Sequence, residues 1–183
     1  KSDNIRPIQD SIGFCWDAFE MDHFIEFLSK QNPDTKKDSQ NLFAAISVHD
    51  DYLYAGNIYY PLYKNIKTKE VVIFGVTHGA VKKEMGTLSN ILIMDEFSKW
   101  RGPYKDVEIS PLREIIKSKL PDDYFIVSNK AHSIEHSIEA VIPFIQYYNR
   151  DIKITPIMVT QMPMDRMQDL SSHLSEIIVE YIK

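Results

Sequence analysis

Four short apolar runs separated by helix-length segments constrain this chain more than any other feature. They are residues 42–48 (LFAAISV), 71–75 (VVIFG), 90–94 (NILIM) and Lys153–Val159 (KITPIMV). Uninterrupted runs of this length fit strands buried on both faces, as in a parallel sheet covered by helices. A shorter candidate lies at 124–128. Helical spacing marks the intervening segments 22–30, with Asp22 as a plausible N-cap, 54–63 and 111–120. The closing segment 165–181 carries Met167, Leu170, Leu174, Ile177, Ile178 and Tyr181 along one face. The alternation predicts an α/β fold: three layers, a mainly parallel twisted sheet with helices on both faces, in one domain over residues 1–183. Pro156 cannot donate to a ladder, which predicts an edge or a bulge in the last strand. Residues 31–40, polar and aperiodic, read as a surface loop.

Two of the runs end in a histidine. His49-Asp50-Asp51 follows the first and Val76-Thr77-His78-Gly79 follows the second. Open α/β sheets bind ligands at the carboxyl ends of their strands, so both imidazoles are expected at one rim. A third contribution comes from residues 131–148, AHSIEHSIEAVIPFIQYY, which doubles the tetrapeptide HSIE. Read as one helix, it places His132, His136 and Glu139 within about 60° of one another, with Ile134, Ile138, Val141 and Ile145 opposite. Histidines from three segments at one rim suit a first-row transition metal, since neutral imidazole is its commonest protein ligand. Asp50, Asp51 and Glu139 are the carboxylates placed to ligate the ion or to hold a histidine tautomer. Taken singly, His49 and His78 also read as ordinary turn residues, and the polar helix face as a solvated one.

Other classes fare worse. A net charge of -5 and pI near 5.7, without a basic patch, give no nucleic-acid footprint. No G-x-G-x-x-G, Walker or G-x-S-x-G motif occurs. Cys15 stands alone and reads as a buried, inert thiol. His23 and His173 fall on surface helices, and Met158, Met162, Met164 and Met167 read as packing. No apolar run approaches the roughly 18 residues of a membrane span, and no signal-peptide core opens the chain. A soluble, cytoplasmic protein is the expectation.

The motifs resemble those of the Memo family, which includes protein B of the AmmeMemoRadiSam set. AAISVHDDYLYAG is similar to its I-x-P-H-A-G-Y-x-Y-x-G segment, VIFGVTHGA to I-x-x-G-P-S-H, and EHSIEAVIPFIQYY to E-H-S-[LI]-E-x-x-L-P-F-[LI]-Q. DIKITPIMV, MDEFSKWRGPYKDVEIS and the degenerate N-terminal NIRPIQDSIGFCW extend the match over most of the chain. The resemblance implies a fold related to class III extradiol dioxygenases, which hold non-haem iron with two histidines and a carboxylate. It assigns His49 and His78 to the metal and His136 to the pocket as an acid/base group, and makes His132 a bystander. The implied cofactor is an iron or copper ion, and the implied role is redox or dioxygenase-like toward a small molecule.

Val48, Asp50-Asp51, Val76-Thr77 and Gly79 depart from the family pattern. The family's later S-S-D-F-x-H/C segment is not matched before Lys183, so the fold is expected to lack its C-terminal part and a third ligand. The alternative is therefore a non-catalytic module binding a peptide or protein, with a partner chain or homodimer covering an exposed sheet edge.

Overall fold

The computed structural model describes residues 4–33 and 42–183. The polar loop expected at 31–40 falls largely outside them. A mixed sheet organises the chain. Its strands are β1 (Ile5–Arg6), β2 (Glu70–Val76), β3 (Leu92–Met94), β4 (Lys99–Trp100), β5 (Val107–Ile109), β6 (Phe125–Val127) and β7 (Lys153–Val159), in the order β1-β4-β5-β7-β3-β6. β2 pairs along the other flank of β7, parallel over its whole length from Glu70↔Lys153 to Val76↔Val159. The junctions β3–β7 and β4–β5 are antiparallel and the remainder parallel.

Alternation along the strands separates two cores, as the period of two requires. Ile93, Ile154 and Met158 face a large cluster, while Leu92, Met94 and Ile157 face a second one. On the first face lie α1 (Ala18–Gln31), α2 (Tyr52–Tyr63) and α6 (Ile142–Tyr148). They contact one another through Met21, Ile25, Tyr52, Tyr59 and Phe144. The rings of Tyr59 and Phe144 stack there at 4.9 Å. On the second face α4 (Leu112–Lys119) packs against α7 (Met164–Ile182) through Leu112, Ile116, Leu170, Leu174 and Ile177. Helices therefore cover both faces of the sheet, as expected of this α/β fold. Among the described residues no helix is long and apolar enough to cross a membrane.

Several elements differ from the sequence reading. Residues 42–48 form no strand: Phe43 and Ile46 are fully exposed, and no segment among the described residues pairs with them. An apolar run becomes a strand only where a partner supplies the ladder. Pro156 sits in the central strand rather than at an edge. Ile154 accepts a hydrogen bond from Ser110 N on the β5 side, so Pro156, two residues on, points its nitrogen to that side as well. There β5 stops at Ile154 and β3 begins at Met158, leaving a gap where no donor is needed. α1 starts earlier than its apolar spacing suggests. Asp17 caps it by accepting from Phe19 N and Glu20 N, while Asp22 accepts from the Tyr104 hydroxyl.

Residues 131–148 are not one helix. α5 (Asn129–Ser133) ends, a turn follows, and a 3₁₀ turn at Glu139–Val141 leads into α6. Pro143 stands in the first turn of α6, where its missing N–H costs nothing. The turn between these helices carries Glu135 and His136.

Candidate metal centre

The sheet and the broken helix together deliver three imidazoles to one cleft. His78 follows the end of β2 and precedes α3 (Gly79–Met85). His49 lies on the segment entering α2, which Tyr59 and Tyr63 tether by donating to Asp50 O and Ser47 Oγ. His136 sits in the turn between α5 and α6. The ring centroids of His78 are 5.0 Å from those of both His49 and His136, with 6.2 Å between His49 and His136. A cleft of about 450 Å³ is lined by Ser47, Val48, His49, Asp50, His78 and His136.

The closest pair is His49 Nε2 and His78 Nε2, 3.2 Å apart. Two imidazole nitrogens bound to one ion at about 2.1 Å would lie roughly 3.4 Å apart in tetrahedral geometry. The same separation suits an N–H···N hydrogen bond, and the tautomer of His78 is fixed in either case. Its Nδ1 is 2.7 Å from Glu135 Oε1, and an ionised carboxylate only accepts, so Nδ1 carries a proton and, in the neutral ring, Nε2 is the nitrogen that presents a lone pair to the cleft. This is the carboxylate–histidine arrangement that orients metal-binding imidazoles.

Glu135 is the organising group. Its side chain is 2 % exposed, and it accepts from His78 N at 2.7 Å and from His136 N and Ser137 N at 2.9 Å as well as from the His78 ring. Burial opposes ionisation of this carboxyl. The hydrogen bonds from the His78 backbone and ring and from Ser137 N outweigh it, and they hold the pKa below the usual glutamate value. His78, Glu135 and His136 together lie close enough to surround one ion. With four hydrogen bonds already on its two oxygens, Glu135 is better suited to aiming His78 than to ligating. Burial first, then the proximity of the His78 and His136 imidazoles, lowers the pKa of His49. A neutral imidazole, the ligating form, is thereby favoured.

The remaining candidates are placed as follows. Asp50 is exposed on the cleft rim and accepts from Asp51 N, while Asp51 stands at the N-terminus of α2 beside Gly13. Glu139 does not share a face with the histidines. The helix it was projected on is broken, and its buried carboxylate pairs with Arg6 and accepts from Gln9 N and Asp10 N. His132 is completely buried, with Nε2 2.9 Å from Ile93 O and its ring edge-on to Trp100. It lies outside the cleft.

Glu135, Arg6 and Asp10 were missed from the sequence. Asp10 Oδ2 stands 3.7 Å from His136 Nδ1. The signal for Glu135 was present in the EHSIE motif, as the acid immediately before His136. Helical projection diverted it to the acid four residues later. Cys15 is half-buried, and burial with the nearby Glu20 pushes its pKa to about 11, so the thiol is unreactive near neutrality.

An α/β sheet with a three-histidine cleft at the carboxyl end of a strand defines the class. Comparison with known proteins places the chain within it: the model of the Memo-like protein family matches residues 15–183. The chain is 35% identical over 143 residues to a MEMO1 family protein of Aquifex aeolicus, covering 75% of this chain and 49% of that one. It is 30% identical over 154 residues to one of Caldivirga maquilingensis, covering 81% and 51%. A relative from Sulfurisphaera tokodaii is 29% identical over 157 residues, covering 82% and 52%. This chain belongs to the Memo-like family, and it spans about half the length of the curated relatives it matches.

Proposed function

We propose that this chain is a metal-site protein in which His49 and His78 hold a first-row ion, iron or copper, with His136 beside them. The observation that carries the reading is the 3.2 Å approach of His49 Nε2 to His78 Nε2, with Glu135 holding the proton on the far side of the His78 ring. Two imidazoles as the only committed ligands leave positions open to exogenous ligands or to Asp50 on the cleft rim. Such an ion supplies redox chemistry or Lewis-acid polarisation to a small molecule in the cleft, in a redox or dioxygenase-like role. The chain's own contribution is orientation and proton handling. Glu135 aims His78, the tyrosine tethers hold His49, and the His136 imidazole accepts or returns a proton at the cleft wall.

Metal content of purified protein, compared with a His49→Ala/His78→Ala double variant, tests the reading. Stoichiometric iron or copper in the parent and its loss in the variant is the expected result. Equal content in both refutes it.

A second reading is a non-catalytic module that binds a peptide or protein. It is favoured by fully exposed Phe43 and Ile46 on the segment leading to His49. Light scattering that finds neither self-association nor a complex counts against that reading.

A further inference from the structure

Residues 134–138 belong to neither flanking helix, yet they carry Glu135 and His136. We propose that Arg6 is the positioning residue of the histidine cleft, its guanidinium clamping the turn that sets both side chains. The consequence for metal rests on the reading above; the clamp itself does not.

Arg6 is 2 % exposed and lies 126 or more residues away in sequence from the three groups it holds on and beside this turn. Its Nε donates to His132 O at 2.8 Å and Nη2 to Glu135 O at 2.6 Å, while Nη1 pairs with the Glu139 carboxylate. Those three acceptors bracket His136 on both sides. The planar fork lies 4.3 Å over the ring of Trp100, the residue paired with Arg6 across β1 and β4, and this stacking supports its plane.

The clamp also reaches His136 from the N-terminal side. Glu139, anchored by Arg6, accepts from Gln9 N and Asp10 N and so brings the Asp10 carboxylate to 3.7 Å from His136 Nδ1. Burial pushes the Arg6 pKa down to about 10, which leaves it charged at neutral pH. A lysine would keep that charge and could pair with Glu139. Its single ammonium has no rigid fork to span His132 O, Glu135 O and Glu139 together.

The test compares the parent, Arg6→Lys and a control, Ile116→Val, which trims a fully buried residue of the opposite core. Two properties are read: NMR resonances of the metal-free protein, and Co(II) affinity from the visible absorbance of the bound ion. Arg6→Lys is expected to fold, to shift the His78 and His136 ring signals and the amides of residues 135–137, and to leave the His23 and His173 signals in place. Its Co(II) affinity should fall by about tenfold or more, the usual effect of disturbing groups that orient ligands. Ile116→Val should lower the melting temperature and leave cleft signals and affinity unchanged.

Cleft signals and affinity equal to the parent in Arg6→Lys, with only a lower melting temperature, overturn the proposal. If Arg6→Lys does not fold, Glu139→Gln is read the same way. It weakens the anchor while leaving both carbonyl contacts of Arg6, and unshifted cleft signals there overturn the clamp as well. If the parent binds no Co(II), the metal reading fails and the metal-free NMR comparison alone decides the role of Arg6.

Discussion

Replacing Glu135 with glutamine tests the site at its most connected atom. The carboxylate accepts from the His78 ring, His78 N, His136 N and Ser137 N. Glutamine has one acceptor oxygen and one NH₂. Placed with its oxygen where Oε1 lies, it retains the His78 ring, His136 and Ser137 contacts as weaker, neutral bonds. Its NH₂ then meets the His78 N–H, donor against donor. The His78 N–H and the glutamine NH₂ both lose an acceptor at a side chain that is 2 % exposed, and each unsatisfied donor costs about 1–3 kcal/mol of stability. The opposite rotamer sets the NH₂ against three donors and costs more. At the metal, an orienting partner is worth about 10–100-fold in affinity, which is about 1.4–2.7 kcal/mol. Titration of metal-free protein with Co(II), beside urea denaturation of the same samples, measures both quantities. The expected outcome for Glu135→Gln is a loss in each. Stability reduced with affinity within twofold of the parent would refute the claim that Glu135 aims His78, and leave it a purely structural carboxylate.

Gly75→Ala would place a Cβ 2.5 Å from Ile138 Cγ1 and 2.7 Å from Ser137 Oγ, against the turn that bears His136. Overpacking of this kind costs about 1–3 kcal/mol; thermal melts should show it, and an unchanged melting temperature would mean that the turn yields freely. His132 has its pKa lowered by burial first, so the unfolded chain binds a proton that the folded one refuses. That destabilisation is absent above the unfolded value of about 6.5 and grows as pH falls below it toward the folded value. Melting temperatures between pH 8 and 5 should therefore fall more steeply for the parent than for His132→Gln, and equal slopes would show that His132 does not titrate with unfolding.

Much of the architecture was legible in local periodicity. VVIFG and KITPIMV became β2 and β7, which pair in parallel, and the spacing of 165–181 became α7 with its apolar face on the second core. Where reading failed, a non-local partner decided. LFAAISV has strand chemistry but no neighbour to pair with among the described residues. KITPIMV tolerates Pro156 at the centre of the sheet because β5 and β3 each cover only one end of that flank. The HSIE repeat suggested a continuous helix because its apolar residues recur at helical spacing. Ser137, which hydrogen-bonds Val76 through its hydroxyl, and Ile138, packed on Gly75, instead hold the segment as a turn.

By itself the sequence determined the α/β class and the family motifs that contain His49, His78 and His136. Each is written in short runs whose patterning depends only on near neighbours. Only the tertiary structure decided which carboxylates serve the cleft. Glu139 is drawn away by Arg6, 133 residues distant, while Glu135 turns toward His78, 57 residues distant. A buried charge goes to the partner that satisfies it, and no local pattern specifies who that partner is.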